Sequence, residues 1–202
     1  MEGFNIASLG LLLETIGEEK TQSILADYSC PINADIEDFL LHKAVAFDRQ
    51  SIAKTHVVFA DYKERPVMVG YFTIASKVLF IRRTPALSAK LRSRINRFAR
   101  PLNDVNGYEI PAPLIAQLGK NFTNGYDRLI TGDELLALAC DSVRKIQALM
   151  GGKIAYLECE DTPKLLAFYE RNGFVAFDRR ALSPSDRQTF KSDHLVQMLR
   201  YF

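Results

Sequence analysis

Apolar positions along the first half of the chain change from helical to strand spacing. An apolar stripe from Ile36 to Phe47 recurs at helical spacing, and Asn33 or Asp35 can cap it. The apolar, β-branched run before the charged tip YKERP indicates a strand followed by a turn. The predicted elements here are helices at 9–17, 19–27, 34–50 and 88–99, a strand at 55–61, and a long strand or strand pair at 67–80.

The second half of the chain alternates strands with helices. Thr162 and Pro163 form a helix start, and Gly151 and Gly152 end the helix before it. This half predicts strands at 112–119, 153–160, 174–178 and 195–201, and helices at 132–150 and 162–171. The order predicts an α/β (α+β) sheet flanked by helices. Because no linker is visible, we expect a single domain over 1–202, with a helical N-terminal extension at 1–27.

The composition adds an expectation about the cellular compartment of the protein. The chain has 202 residues, of which 48% are apolar and 25% charged, values typical of globular proteins. No apolar run reaches the length of a membrane span, and no basic segment precedes Leu9–Leu13, so neither membrane insertion nor a signal peptide is predicted. Cys30, Cys140 and Cys159 are odd in number and lack metal-ligand spacing, which favours reduced thiols in the cytoplasm.

The net charge of +2 conceals a strong asymmetry along the chain. Residues 1–48 contain nine acids and two bases. Residues 82–100 contain no acids and seven bases, which are Arg82, Arg83, Lys90, Arg92, Arg94, Arg97 and Arg100. Such a stretch can attract a polyanion locally, or its bases can pair with the acidic N-terminal part. We treat 82–106 as a basic insertion and leave both interpretations open.

A loop leads from the strand at 112–119 into a helix that begins at Gly132. The backbone N–H groups and the positive dipole end of such a helix start can bind a phosphate or pyrophosphate. A simple tight turn at Gly132 is the alternative interpretation.

The segment Lys153–Asp178 carries a more specific pattern. It is a strand, a capped helix and a further strand, and the helix ends in F-Y-x-x-x-G-F at Phe168–Phe174. In this pattern and in the preceding strand–loop–helix, the chain resembles the GNAT superfamily of acetyl-CoA-dependent N-acetyltransferases. The resemblance implies a mixed, mostly antiparallel central sheet with splayed central strands.

The first half resembles one branch of that superfamily, the GNAT toxins of toxin–antitoxin pairs. The stretch from Tyr28 to Ser76 has a cysteine-containing segment, a helix ending in F-L, and a V-G-Y strand, and Pro113–Lys120 matches the family's proline-led strand. The resemblance spans about Tyr28–Phe177. It implies an antitoxin protein and a homodimer among the candidate partners.

The resemblance also implies site residues. Tyr169 takes the role of the acid that protonates the departing coenzyme thiolate. The implied acetyl-CoA contacts are Lys120, Asn121, Phe122, Arg128, Leu129, Ile130, Thr131, Gly132, Asp133 and Thr162. The sequence departs from the family where Asp127 replaces Gln or Arg and Ile130 replaces the first glycine of the pyrophosphate loop, which puts coenzyme affinity and activity in question.

The general base and any metal site are less defined by the sequence. Glu158 and Glu160 lie two apart on one strand, so either could accept a proton, or both could form a solvated strand end. His42, His56 and His194 are isolated from carboxylates and cysteines at ligand spacing, so no metal is expected.

Together these features predict an N-acetyltransferase that moves an acetyl group from acetyl-CoA to a primary amine. The toxin-like first half suggests the α-amine of an aminoacyl-tRNA, with Arg92, Arg94 and Arg97 contacting the polyanion. A small amine or a protein amine is the first alternative. A non-catalytic acyl-CoA-binding protein and a nucleic-acid-binding protein on the same fold are the others.

Overall fold

The computed structural model describes residues 3–83, 87–102, 104, 106–182 and 193–202. Parts of three predictions lie outside these ranges: residues 1–2 of the N-terminal extension, 84–86, 103 and 105 of the basic insertion, and 183–192 of the single domain. The described residues form eight strands: β1 Phe4–Ser8, β2 Ala53–Tyr62, β3 Arg65–Arg82, β4 Arg100–Leu102, β5 Gly107–Lys120, β6 Ile154–Glu160, β7 Val175–Ala181 and β8 His194–Tyr201.

Helices make up most of the remaining described chain. The α-helices are α1 Leu9–Ile16, α2 Glu18–Ala26, α3 Ala34–Asp38, α4 Ala44–Arg49, α5 Ala89–Ile95, α6 Gly132–Met150 and α7 Pro163–Arg171. A π-helical segment, Phe39–Lys43, connects α3 to α4, and a 3-10 segment, Thr123–Arg128, precedes α6. The mixed α/β class predicted from the sequence is confirmed.

Hydrogen-bonded strands follow the order β1-β2-β3-β5-β6-β8-β7, with β4 added to β5. The recorded pairs are antiparallel apart from β5 and β6, which run parallel with Leu114 opposite Tyr156. The predicted mostly antiparallel sheet is therefore confirmed.

The chain divides into two compact units. The first unit is Met1–Ala75 with Ile115–Ser142, and the second is Ser76–Leu114 with Val143–Phe202. A core in the first unit gathers α1 to α4 around β2 and β3, with Leu9, Leu25, Leu40 and Val57 fully buried. A core in the second unit packs Leu91 and Ile95 of α5 against β3, β5, β6 and β8. The prediction of a single domain stays a prediction.

Three predicted elements differ from the structure. The helix expected over 34–50 is interrupted by the π-helical segment, and the helix expected over 88–99 ends at Ile95. The strand expected from Ala112 begins at Gly107, because Tyr108 already pairs with Pro101 of β4. The sequence also gave no sign of β1, a strand within the extension expected to be helical, which exists through its pairing with β2.

Candidate functional site

Asn121, just beyond β5, is fully buried in the first unit. Its side-chain amide donates to the backbone carbonyls of Asp27 at 3.0 Å and Met68 at 2.9 Å. Its side-chain oxygen accepts from the N–H groups of Ser29 and Thr123, each at 3.0 Å. The predicted coenzyme ligand therefore joins three separate backbone segments, so its side chain fixes the course of the chain after β5.

Gly119, near the end of β5, permits a close approach of two other side chains. A Cβ at this position would lie 2.3 Å from the Tyr28 hydroxyl and 2.4 Å from a methyl group of Ile36. The Tyr28 hydroxyl is itself buried without a hydrogen-bond partner. Any larger residue at Gly119 would displace the segment that leads into the loop.

Lys120, the last residue of β5, connects the strand to the loop before α6. Its ammonium donates to the backbone carbonyl of Asp127 at 2.7 Å and to that of Ile130 at 3.3 Å. It lies 4.0 Å from the Asp127 carboxylate and 5.9 Å from the centre of the Phe122 ring. The predicted contact Lys120 thus holds the loop and places a positive charge beside it.

The loop itself is fixed by two buried side chains. Tyr126 packs edge-on against Tyr62, and Ile130 is 1% exposed. Asn124 and Gly125 adopt positive φ angles of 54° and 74°, which turn the chain between them. Ile130, which stands where the family has a glycine, therefore fastens the loop to the core, while the Arg128 side chain is exposed.

The N-terminus of α6 is closed by a reciprocal capping box. The Thr131 N–H donates to Glu134 Oε2 at 2.8 Å, and the Thr131 hydroxyl donates to the same oxygen at 2.7 Å. The Glu134 N–H donates back to Thr131 Oγ1 at 3.1 Å. Backbone and side-chain hydrogen bonds from Thr131 lower the pKa of Glu134. A carboxylate thus already occupies one of the donors expected to hold pyrophosphate.

In the second unit, α7 begins as the sequence predicted. Thr162 caps the helix by accepting the Leu165 N–H at 3.4 Å, and Pro163 occupies the first helical position. No acidic residue lies in the first turn, which contains Lys164.

Tyr169 is half-buried on the last turn of α7. Its ring contacts Phe168 and Phe174 edge-on, with centroid distances of 4.9 and 5.9 Å. Burial, with a smaller effect of the nearby Cys159 thiol, raises the pKa of Tyr169 well above its ordinary value. The phenol therefore stays protonated at neutral pH, the form that can donate a proton.

The two acids considered as the general base have different surroundings. Glu158 accepts from Arg180 Nε and from Gln197 Nε2, each at 2.8 Å. Both of its carboxylate oxygens are thus engaged in a cross-strand network. Glu160, two residues on, is partly exposed at the end of β6.

The sequence missed a histidine–carboxylate pair at this end of β6. His194 Nε2 lies 2.9 Å from Asp161 Oδ2, which also accepts from Arg179 at 3.1 Å. The two residues of the pair are 33 positions apart. No local pattern could have revealed the pair, because only the pairing of β6 with β8 brings them together.

The basic helix α5 turns its apolar side to the core of the second unit. Leu91 and Ile95 are buried, whereas Arg97 is exposed and Arg92 is partly exposed. The Arg94 guanidinium lies 4.9 Å from the centre of the Tyr201 ring.

Three acids of the N-terminal part have basic partners within their own unit. Glu18 pairs with Arg49, and the buried Asp48 pairs with Lys54 at 2.9 Å. Asp38 likewise pairs with Lys43. These pairs account for part of the acidic excess without the bases of α5.

The described residues contain neither a metal-binding cluster nor a membrane-spanning helix. Among the described residues, no three His, Cys, Asp or Glu side chains are placed to hold a metal ion. Within the same residues, no helix is both long and apolar enough to cross a membrane.

A depression of about 280 Å³ on the first unit is lined by Cys30, Pro31, Ala34, Glu37, Asp38, Leu41 and His42.

Comparison with solved structures identifies the fold. AtaT complexed with acetyl-methionyl-tRNAfMet matches with a TM-score of 0.62 at 18% identity, over 96% of this chain and 93% of that chain. A tyrosine-to-phenylalanine mutant of KacT matches with a TM-score of 0.61 at 15% identity, over 96% and 94%. This chain has the fold of the GNAT toxins. AtaTR bound with AcCoA matches at 0.53 and 17% identity, over 97% and 93%. No family model and no curated protein matches the sequence.

Proposed function

We propose that the chain transfers an acetyl group from acetyl-CoA to a primary amine, with Tyr169 protonating the coenzyme thiolate. The observation that carries this proposal is the Tyr169 phenol, held by Phe168 and Phe174 on a capped helix of a GNAT toxin fold. Its raised pKa keeps the proton available until a thiolate forms beside it. AtaTR bound with AcCoA, a protein of the same fold, supports acetyl-CoA as the donor.

For the coenzyme, we propose the loop and helix start between Lys120 and Asp133 as the pyrophosphate site. The Gly132 N–H at the start of α6, the Lys120 ammonium and the exposed Arg128 offer donors and positive charge. Leu129, Ile130 and Thr131 contribute backbone, and Thr162 shapes the start of α7. Asn121 and Phe122 set the end of β5, since the N–H groups of both bond to other backbone carbonyls.

As acceptor we propose the α-amine of an aminoacyl-tRNA. AtaT complexed with acetyl-methionyl-tRNAfMet supports this choice, and Arg92 and Arg94 of α5, with Arg97 just beyond its end, supply positive charge for the phosphate backbone. An antitoxin protein is a proposed partner, supported by AtaT bound to the C-terminus of AtaR. A homodimer and a cytoplasmic location complete the proposal.

The experiment that tests the enzyme proposal measures binding and transfer separately. Calorimetry with acetyl-CoA should give a binding isotherm, and transfer to a charged-tRNA substrate should follow. Tyr169→Phe should reduce the rate by about 100-fold or more with unchanged coenzyme affinity. Tyr156→Phe is the matched control, because burial also raises the pKa of Tyr156, to about 12, on a different element. Equal rates for wild type and Tyr169→Phe would contradict the proposed acid.

The tRNA proposal has its own test. Neutralising Arg92, Arg94 and Arg97 together to glutamine should weaken charged-tRNA acetylation and flatten its salt dependence. The control removes the same charge at Lys63, Arg65 and Lys77, which are exposed on β3 and the turn before it. An equal loss in both triple variants would contradict a specific tRNA surface at α5.

A second candidate is a GNAT-fold protein that binds no acetyl-CoA. The observation in its favour is the Glu134 carboxylate on the Thr131 N–H, a donor that a pyrophosphate would need. The calorimetric titration separates the two, because this candidate gives no binding heat at millimolar acetyl-CoA.

A further inference from the structure

The register of β6 with β8 sorts the charged residues at this end of the sheet onto two faces. Glu158 is opposite Gln197, and Cys159 is opposite Val196. Side chains alternate along a strand, and directly opposed residues share a face. Glu158, with Gln197 and Arg180, therefore lies on one face, and Cys159 lies on the other.

Asp161 and Tyr169 both lie near the Cys159 thiol. Burial raises the pKa of Cys159 to about 11, and the Asp161 carboxylate is the next contributor. The same thiol is the neighbour that adds to the raised pKa of Tyr169. Arg179, which donates to Asp161, is opposite Val196, so strand register also assigns this pair to the Cys159 face. The acid of the proposed reaction and Asp161 are therefore on the same side of β6, opposite to Glu158.

His194 joins this group through Asp161. It is the first residue of β8, opposite Ala181 of β7, and its Nε2 lies 2.9 Å from Asp161 Oδ2. The exposed fraction of the His194 side chain is 33%, so the imidazole is partly accessible to solvent. We propose that His194, oriented by Asp161, is the base that accepts the proton of the acceptor amine, an inference that rests on the acetyl transfer proposed above.

The neutral amine nitrogen forms a C–N bond with the thioester carbonyl carbon, the carbonyl π electron pair moves to oxygen, and His194 takes one of the two protons of that nitrogen. The carbonyl re-forms as the C–S bond breaks, the electron pair of that bond passes to sulfur, and the thiolate takes the Tyr169 proton. The imidazolium proton returns through water to the tyrosinate, and the amide nitrogen keeps its other proton. The acetyl group thus passes from sulfur to nitrogen, and one proton passes from the amine to the coenzyme thiol.

Charged groups surround the pair formed by His194 and Asp161. Asp161 Oδ2 lies 2.9 Å from His194 Nε2 and also accepts from the Arg179 guanidinium at 3.1 Å. Asp193 precedes His194, Glu160 ends β6, and Arg180 is bound to Glu158 on the other face. The Asp161 carboxylate is therefore the group that orients the imidazole and faces the positive charge formed when His194 accepts a proton.

The first experiment is the rate of acetyl transfer by His194→Gln. We expect a loss of about 100-fold in kcat with an unchanged Kd for acetyl-CoA. His42→Gln, a substitution of an exposed histidine in the first unit, should leave kcat unchanged. A His194→Gln enzyme that keeps its rate overturns the proposal.

The second experiment keeps the proposal testable if His194→Gln does not fold. Asp161→Asn should lower kcat by about tenfold or more with an unchanged Kd for acetyl-CoA, whereas Arg179→Gln, which removes the other partner of the same carboxylate, should leave kcat close to wild type. Unequal effects of the two variants support orientation of His194 by Asp161, because loss of a merely structural ion pair would lower the rate in both. A wild-type rate in Asp161→Asn, or equal losses in the two variants, overturns the proposal.

These outcomes separate this inference from the proposed function. A wild-type protein with no transfer to any amine overturns both, and this result precedes the variants. Transfer by wild type that is lost in Tyr169→Phe but retained in His194→Gln overturns only the role of His194.

Discussion

The N-termini of α6 and α7 are both capped by threonine, but among the described residues only that of α6 has a side-chain carboxylate bound to its cap. Thr131 shares its N–H and hydroxyl with the Glu134 carboxylate, and Asp133 adds another acid to the first turn. Thr162 caps α7 with its hydroxyl alone, and Lys164 follows it. The helix proposed to bind pyrophosphate is thus the one that already carries a carboxylate. Coenzyme binding at α6 must compete with that carboxylate, and Lys120 supplies the opposing charge.

The largest effect expected from this comparison concerns Lys120. Lys120→Met removes two hydrogen bonds from a charged donor to the loop carbonyls of Asp127 and Ile130. Such bonds are worth about 1.5–3 kcal/mol, and we expect a loss of about tenfold in acetyl-CoA affinity by calorimetry. Lys164→Met, the control at α7, should bind normally. Equal affinity of the Lys120→Met protein and wild type would show that the loop holds its shape without the lysine.

The next effect concerns the cap of α7. Thr162→Ala removes the acceptor for the Leu165 N–H, and an N-cap loss of this kind costs about 1 kcal/mol of the free energy of unfolding. Urea unfolding monitored by circular dichroism measures it. Thr162→Ser, which retains the oxygen, should have a free energy of unfolding close to that of wild type. An alanine variant as stable as wild type would show that this cap does not stabilise the protein.

A smaller effect of the opposite sign is expected at α6. Glu134→Gln removes a negative charge from the helix start, where charges contribute about 0.3–1 kcal/mol. We expect acetyl-CoA to bind about two- to fivefold more tightly, and less so at high salt. Glu170→Gln on the exposed side of α7 is the charge-matched control. Weaker binding by Glu134→Gln would mean that the capping box helps to form the site.

The smallest effect is a difference in acid sensitivity. The pKa of Glu134 is lowered in the folded protein by its bonds to Thr131, so its contribution to stability is present above the ordinary pKa of 4.5. That contribution is lost as pH falls below 4.5 through the lowered value. Because the group is largely exposed, we expect less than about 0.5 kcal/mol. Unfolding at pH 7 and pH 3 measures it, and the difference between wild type and Glu134→Gln should shrink at pH 3.

Local sequence signals predicted much of the fold and the two helices of the candidate site. The bounds of α6, 132–150, and the start of α7 follow from caps and glycines next to each other in the chain. Patterns of this kind cannot show pairing between distant segments. The strand β1 was missed for that reason, and an unbroken apolar stripe gave no sign of the π-helical segment after α3.

What the sequence by itself determined is the class of the fold, the two capped helices and the tyrosine on α7, because short-range spacing and capping encode them. The tertiary structure decided how the site residues are used. It buried Asn121 among backbone partners up to 94 residues away. It also paired His194 with Asp161 through the register of β6 and β8. Contacts of this range depend on strand pairing, and no spacing along the chain records them.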